Sequence, residues 1–262
     1  MLAKQRLCFI HAAAVLTFIL AACAAKPAHA DTVAIYDGLR QDYAPLDTFF
    51  SGQGATVDQL NSSFTSFNGA NFVILSLPEF SLTAGQLSMI DAYVNGGGRL
   101  LINSEYSPDF QLSIDDTNTI LTSLGSSIVN QSTKSDSGYH DTTAIASDPF
   151  TAGVTDINLA ATSSLTGGTE LVNGGPTDQN QDFIAYQGIG SGYVFVIADT
   201  NTADNINDTA DNSNGVLYCN FSGFGCSQAT PPPSSTPEPA SLLMLGTGLL
   251  GIGAAVRRRL LA

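Results

Sequence analysis

The sequence predicts an α/β domain built on a mainly parallel sheet, and three features carry that expectation. Residues 72–77 form a continuous apolar run of the kind found in strands buried on both faces of a parallel sheet. A helical pattern over 83–95 follows, stopped by Gly96-Gly97-Gly98, and a second apolar strand at 99–103 closes a β-α-β unit. Two late apolar runs, 183–186 and 193–198, flank Gly188-Ile189-Gly190-Ser191-Gly192 and read as a hairpin.

The remaining elements fall into place around these. Residues 32–36 make a short apolar first strand ending in Asp37-Gly38, 45–50 a short helix, and 55–60 a weaker second strand. In the 83–95 helix, Thr83 is placed as N-cap with Gln86 three residues on, the spacing of a capping box, and Leu87, Ile90 and Val94 share one face. A further helix is expected over 117–124, ending at Gly125, with a strand at 127–129. Residues 132–175 turn polar and aperiodic, which predicts loops and antiparallel edge strands, and 211–221 read as the last helix.

Charge narrows the function. The stretch 31–230 is long enough for one domain with a substantial core. It holds 22 acidic residues against only Arg40, Arg99 and Lys134, a net charge of −19. That balance excludes nucleic acid and anionic membrane surfaces as partners.

Both chain ends carry targeting signals. Lys4 and Arg6 precede an apolar stretch over 7–25, and Ala28-His29-Ala30 places small residues where a signal peptidase cleaves. Cleavage after Ala30 starts the mature chain at Asp31; the rival is Leu20-Ala21-Ala22-Cys23, a lipobox-like run that would make Cys23 a lipidated terminus. Cys219 and Cys226 remain, spaced for a local disulfide in an exported chain, with buried unpaired thiols as the alternative.

At the other end, Pro237-Glu238-Pro239 leads into an uncharged run over 240–256, then Arg257-Arg258-Arg259. A helix over that run would be roughly 25 Å long, near the lower limit for crossing a bilayer core. The arginines favour the cytoplasmic side, which leaves the Pro-Glu-Pro sequence outside and extended. This arrangement resembles the PEP-CTERM sorting tail of exported bacterial proteins, read by a membrane-embedded exosortase. The resemblance implies an inner-membrane-tethered precursor, then release to the cell surface or an extracellular matrix, with exopolysaccharide (biofilm) as surroundings. The organisation expected is a signal peptide at 1–30, an α/β domain at 31–229, a Pro-rich linker at 230–239, and a transmembrane helix with basic tail at 240–262.

The segments 69–105, 147–157, 190–205 and 211–221 together resemble the class I glutamine amidotransferase-like superfamily, a flavodoxin-like, three-layer α/β fold. In that family a strand, a glycine-stopped helix and a second strand build the sheet, and a late strand ends at Asp. Catalytic members need a cysteine on a sharp turn after the central strand, with a histidine as its base. Here the corresponding segment is Asn103-Ser104-Glu105-Tyr106, without cysteine, and the one histidine after residue 30 is His140. The resemblance therefore implies a non-catalytic domain.

Other chemistry has candidates. Ser104 could serve as nucleophile if His140, oriented by Asp141, reached it, although no G-x-S-x-G elbow surrounds it. Asp37, Glu79 and Glu105 each follow a predicted parallel strand, where open α/β sheets bind ligands. Together with Ser104 they form the candidate ligand crevice, for a glycan, a small ligand, or hydrolysis by paired carboxylates. The acid- and amide-rich stretch 199–212 has calcium-type oxygen ligands but no EF-hand or repeat spacing; no cofactor is expected, with calcium the alternative. The expectation is an exported, surface- or matrix-associated, non-enzymatic protein.

Overall fold

The computed structural model describes residues 31–38, 44–134, 138–208 and 212–225. The signal peptide, Arg40, Cys226, the linker, the sorting residues 237–239 and 257–259 and the span between them lie outside the described residues. Among the described residues no helix is long and apolar enough to cross a membrane.

The strands are β1 (Thr32–Asp37), β2 (Thr56–Gln59), β3 (Phe72–Ser76), β4 (Arg99–Asn103), β5 (Val129–Asn130), β6 (Tyr139–Thr142), β7 (Ile157–Ala160), β8 (Leu165–Thr166), β9 (Thr169–Asn173), β10 (Asp182–Ile189) and β11 (Gly192–Ile197). The helices are α1 (Ala44–Gly52), α2 (Ala84–Asn95), α3 (Gln111–Ser123), α4 (Asn201–Asp204) and α5 (Asn214–Ser222). The main sheet runs β2-β1-β3-β4-β11-β10-β8-β5, with β9 also paired to β10, while β6 and β7 form a separate two-stranded ribbon. From β2 to β11 every pairing is parallel. From β11 outward every pairing is antiparallel. The order 2-1-3-4 with β11 in fifth place is the flavodoxin-like arrangement.

Strand alternation explains the two buried faces. Ala34, Tyr36, Val73, Leu75, Leu100, Ile102, Val194 and Val196 point to one side, where Ile90 and Val94 of α2 and Ile120 and Leu121 of α3 cover them. Phe72 and Phe195 point to the other side, against Phe50 of α1 and Phe221 of α5, with ring centroids 5.9 and 4.3 Å apart. β3 is buried at all five positions, as its uninterrupted apolar run requires. The cap on α2 is the predicted capping box: Thr83 Oγ1 accepts from Gln86 N, and Gln86 Oε1 accepts from Thr83 N.

Several boundaries differ from the sequence expectation: α5 starts at Asn214, β10 runs through Gly188 to Ile189, and two others have a visible cause. α3 starts at Gln111, six residues before the predicted position 117. Phe110 precedes it without a side-chain cap, and Leu112 in its first turn is 43% exposed, so neither start signal is present. The short strand after α3 sits at 129–130 rather than 127–129, because Gln187 Oε1 accepts from Ser127 N and takes that amide out of the ladder.

Arg99 ties the sheet to α5. Its Nη1 donates to the carbonyls of Asn220 (3.3 Å) and Phe221 (2.9 Å), which are left free at the helix end, and its guanidinium lies over the rings of Phe150 and Tyr193. The β10–β11 turn is held against the end of α2: a Cβ on Gly192 would overlap the carbonyl oxygens of Gly98 and Val94. Gly192→Ala should lower stability by about 1–3 kcal/mol, measured by denaturant unfolding, because backbone atoms and not a flexible side chain occupy the space.

Candidate functional site

The C-terminal edge of the parallel strands is where such a sheet offers a binding site. In register, Asp37, Ser76, Asn103 and Ile197 end neighbouring strands. The next residues, Ser104 and Glu105 after β4 and Asp199 after β11, are buried, with Ser104 and Asp199 at 0% exposure and Glu105 at 3%.

A hydrogen-bonded network joins them. Ser104 Oγ accepts from Thr117 Oγ1 (3.2 Å) and from Asn130 Nδ2 (2.9 Å), and the same Asn130 amide donates to the Glu105 carbonyl. Glu105 Oε1 accepts from the Thr200 hydroxyl (2.5 Å) and amide (3.2 Å). Asp199 Oδ2 accepts from Ala160 N (2.6 Å), and its Oδ1 from the backbone and side-chain amides of Asn201. Thr202 Oγ1 donates to the Asp199 carbonyl and meets Tyr218 Oη, which donates to Asn103 Oδ1. The cluster thus clamps α4, α5 and the β6–β7 ribbon onto the ends of β4 and β11.

Burial sets its electrostatics. Desolvation pushes the Glu105 carboxyl up to about 7, opposed by the hydrogen bonds from Thr200, with the charge of Asp204 adding to the rise. Asp199 is pushed up to about 8, first by burial and then by the negative charge of Glu105, against the donors Ala160 N and Asn201. Glu105 Oε2 and Asn103 Nδ2 have no hydrogen-bond partner among the described residues, which adds to the cost of closing the cluster.

The candidate residues are therefore not one open crevice. Ser104 and Glu105 share the cluster and are covered by it. Glu79 stands apart, half-buried, its pKa raised by burial and then by Asp116. Asp116 is itself held by the amides of Phe80 and Ser81. Asp37 is buried at the end of β1. A cavity of about 470 Å³ lies elsewhere, lined by residues between Thr143 and Thr155, and none of the four borders it.

His140 does not meet Ser104: its Nε2 lies 3.1 Å from Asp178 Oδ2 and its Nδ1 faces the Gly138 carbonyl. Asp141 instead accepts from Asn158 Nδ2. Ala161, at φ 60°, follows β7 of the ribbon; at the ends of the parallel strands the left-handed backbone falls on Leu77, at φ 49° after β3, and not on Ser104. A left-handed non-glycine residue there costs about 1–2 kcal/mol and presents a side chain with no chemistry. Cys219, in α5, is disulfide-bonded. Sequence reasoning missed Asp199, Thr200 and Asn130 as cluster members. Asp199 carried a usable signal, since it directly follows the apolar run of β11.

Comparison with known proteins adds two findings. The PEP-CTERM protein-sorting motif matches residues 235–259. This chain carries an exosortase sorting signal. The motif implies an exported protein whose precursor is anchored in the membrane and processed by exosortase. No curated protein matches the chain in sequence. Among solved structures, the mmIFT52 N-terminal domain superposes with a TM-score of 0.59 at 13% identity, covering 72% of this chain and 97% of that one. A β-galactosidase from Rahnella sp. R3 gives 0.50 at 17% identity over 65% of this chain; the match spans only 29% of the enzyme. A glutamine amidotransferase from Thermotoga maritima is also similar, at 0.44 and 9% identity, covering 74% of this chain and 94% of that one. At these identities the first two establish a shared α/β fold and nothing about activity.

The buried carboxyls make stability depend on pH. Folding raises Glu105 and Asp199 above their ordinary values of 4.5 and 3.8, so the folded chain holds more protons than the unfolded one between about pH 4 and 8. Their protonated forms favour the fold below that window, and the advantage is lost as pH rises through it. The melting temperature should fall between pH 5.5 and 8.5, and Asp199→Asn should flatten that slope by about half. An unchanged slope in the variant would assign the dependence to other groups.

Proposed function

We propose that this exosortase-sorted protein acts at the cell surface or in the extracellular matrix through a body without catalytic activity. The observation that carries the delivery half is the sorting motif at 235–259. The non-catalytic half is supported by the closed cluster: Ser104 is fully buried and serves as an acceptor for two donors, both ring nitrogens of His140 face other partners, and the strained strand-end position bears Leu77. An activated nucleophile needs a base within hydrogen-bond reach and a path for substrate, and this arrangement offers neither to Ser104. In this reading the amidotransferase-like fold serves as a scaffold. The strongly acidic surface keeps the domain soluble next to membrane and polysaccharide.

A second reading, hydrolysis by strand-end carboxylates, has one feature in its favour: burial pushes the Glu105 carboxyl up to about 7, where a general acid works best. Its 3% exposure and the Thr200 clamp weigh against it.

Delivery is tested by mass spectrometry of the mature C-terminus in hosts with and without exosortase. Cleavage near Pro237-Glu238-Pro239 is expected in the competent host alone, and surface-located protein that retains Arg257 there would contradict the reading. Alanine at all three motif positions should trap the chain at the inner membrane. For the body, no ammonia release from glutamine is expected. Activity abolished by Ser104→Ala or Glu105→Gln in a folded variant would restore the enzyme reading.

A further inference from the structure

Asp199 and Asn201 bind the backbone of Ala160, so the β6–β7 ribbon lies beside the strand-end cluster, and Tyr139, Asp141 and Asn158 share the face of it that carries the exposed side chains. That face has an unusual composition. Tyr139 is 71% exposed, the most exposed large hydrophobic side chain among the described residues. Its hydroxyl is anchored: Tyr139 Oη donates to Asn201 Oδ1 at 3.0 Å, and Asn201 is in turn bound to Asp199 and to the Ala160 carbonyl. Along the same face, Asn158 Nδ2 donates to Asp141 Oδ1 (2.7 Å) and Asn205 Nδ2 donates to Asn158 Oδ1 (2.8 Å). An aromatic ring this exposed contributes little to folding. It provides a flat apolar surface at small entropic cost on binding, next to oriented amide and carboxylate groups.

We infer that the Tyr139 face of the β6–β7 ribbon, with Asp141, Asn158 and Asn205, is a binding surface for a neutral polysaccharide. The C–H faces of pyranose rings stack on an aromatic ring, and Asn and Asp side chains match neighbouring hydroxyls through paired donors and acceptors. Charge selects the neutral class. The only described cations, Arg99 and Lys134, lie over the rings of Phe150, Tyr193 and Tyr106 and not on this ribbon, and Asp141 repels polyanions. A cationic peptide is the competing partner for an acidic surface, and salt separates the two. Stacking and neutral hydrogen bonds persist at high ionic strength, while attraction between exposed charges is screened. This inference rests on the proposed extracellular location, but its test does not.

The test is affinity electrophoresis of the full chain, purified in detergent, through gels containing a neutral glucan, galactan, mannan or xylan, with alginate and polylysine as charged comparisons. Retardation by at least one neutral polymer is expected, unchanged between about 50 and 500 mM NaCl. Tyr139→Ala should weaken it by about tenfold or more, while Tyr139→Phe, which keeps the ring, should stay within about threefold. Tyr139 is largely exposed, so both variants should melt like the parent, and the melting curve verifies this. Absence of retardation in all four neutral gels would overturn the inference. So would retardation that Tyr139→Ala leaves intact, or binding confined to polylysine and lost with salt. None of these outcomes bears on cleavage at the sorting motif, which the mass-spectrometric comparison decides separately.

Discussion

Burying a parallel sheet on both faces removes water from the ends of its central strands, and each polar group there then either finds a partner inside the protein or adds to the cost of folding. β3, β4 and β11 are the strands that impose this condition, since each is buried along nearly its whole length. The side chains that follow them, Asn103, Ser104, Glu105 and Asp199, could only be covered because hydroxyls and amides of Thr117, Asn130, Thr200, Asn201 and Tyr218 converge on them. The cluster that results fixes where α4, α5 and the ribbon sit. The same closure that stabilises the topology covers Ser104, Glu105 and Asp199.

The legible part of this fold was the part written in hydrophobic periodicity. The β3-α2-β4 unit, the Thr83–Gln86 cap and the β10–β11 hairpin were all visible because a local pattern specified each of them. The insertion of β11 beside β4 was not visible, because pairing partners distant in sequence leave no local trace. The start of α3 was missed for want of a cap. Antiparallel strands were expected within 132–175, but the ribbon's two strands could not be placed there, because β6 and β7 are four residues each and β6 (Tyr139-His140-Asp141-Thr142) shows no apolar alternation.

For the site, residue types were readable and their arrangement was not. Placement after predicted strands correctly marked Ser104 and Glu105 as strand-end groups. Whether they faced solvent or an interior network depended on Thr200 and Asn130, 95 and 25 positions from Glu105 in the chain. His140 was the natural partner to test against Ser104; the turn signature Gly174-Gly175-Pro176 marks the turn that carries Asp178, but not that His140, 38 positions earlier, lies against it. Function, by contrast, was most legible outside the domain, in a tail whose chemistry is read linearly by a processing enzyme and needs no folded context.

The strand-end acids Glu105 and Asp199 form a closed, buried lock. Nuclear magnetic resonance titration of the side-chain carboxyl carbons of Glu105 and Asp199 measures this directly. A lock predicts midpoints near 7 and 8, displaced upward by burial, with the Asp199 midpoint lowered when Glu105→Gln removes its neighbouring charge. Midpoints near 4 for both would show two solvated carboxylates in an open cleft, and the scaffold account of this domain would fail.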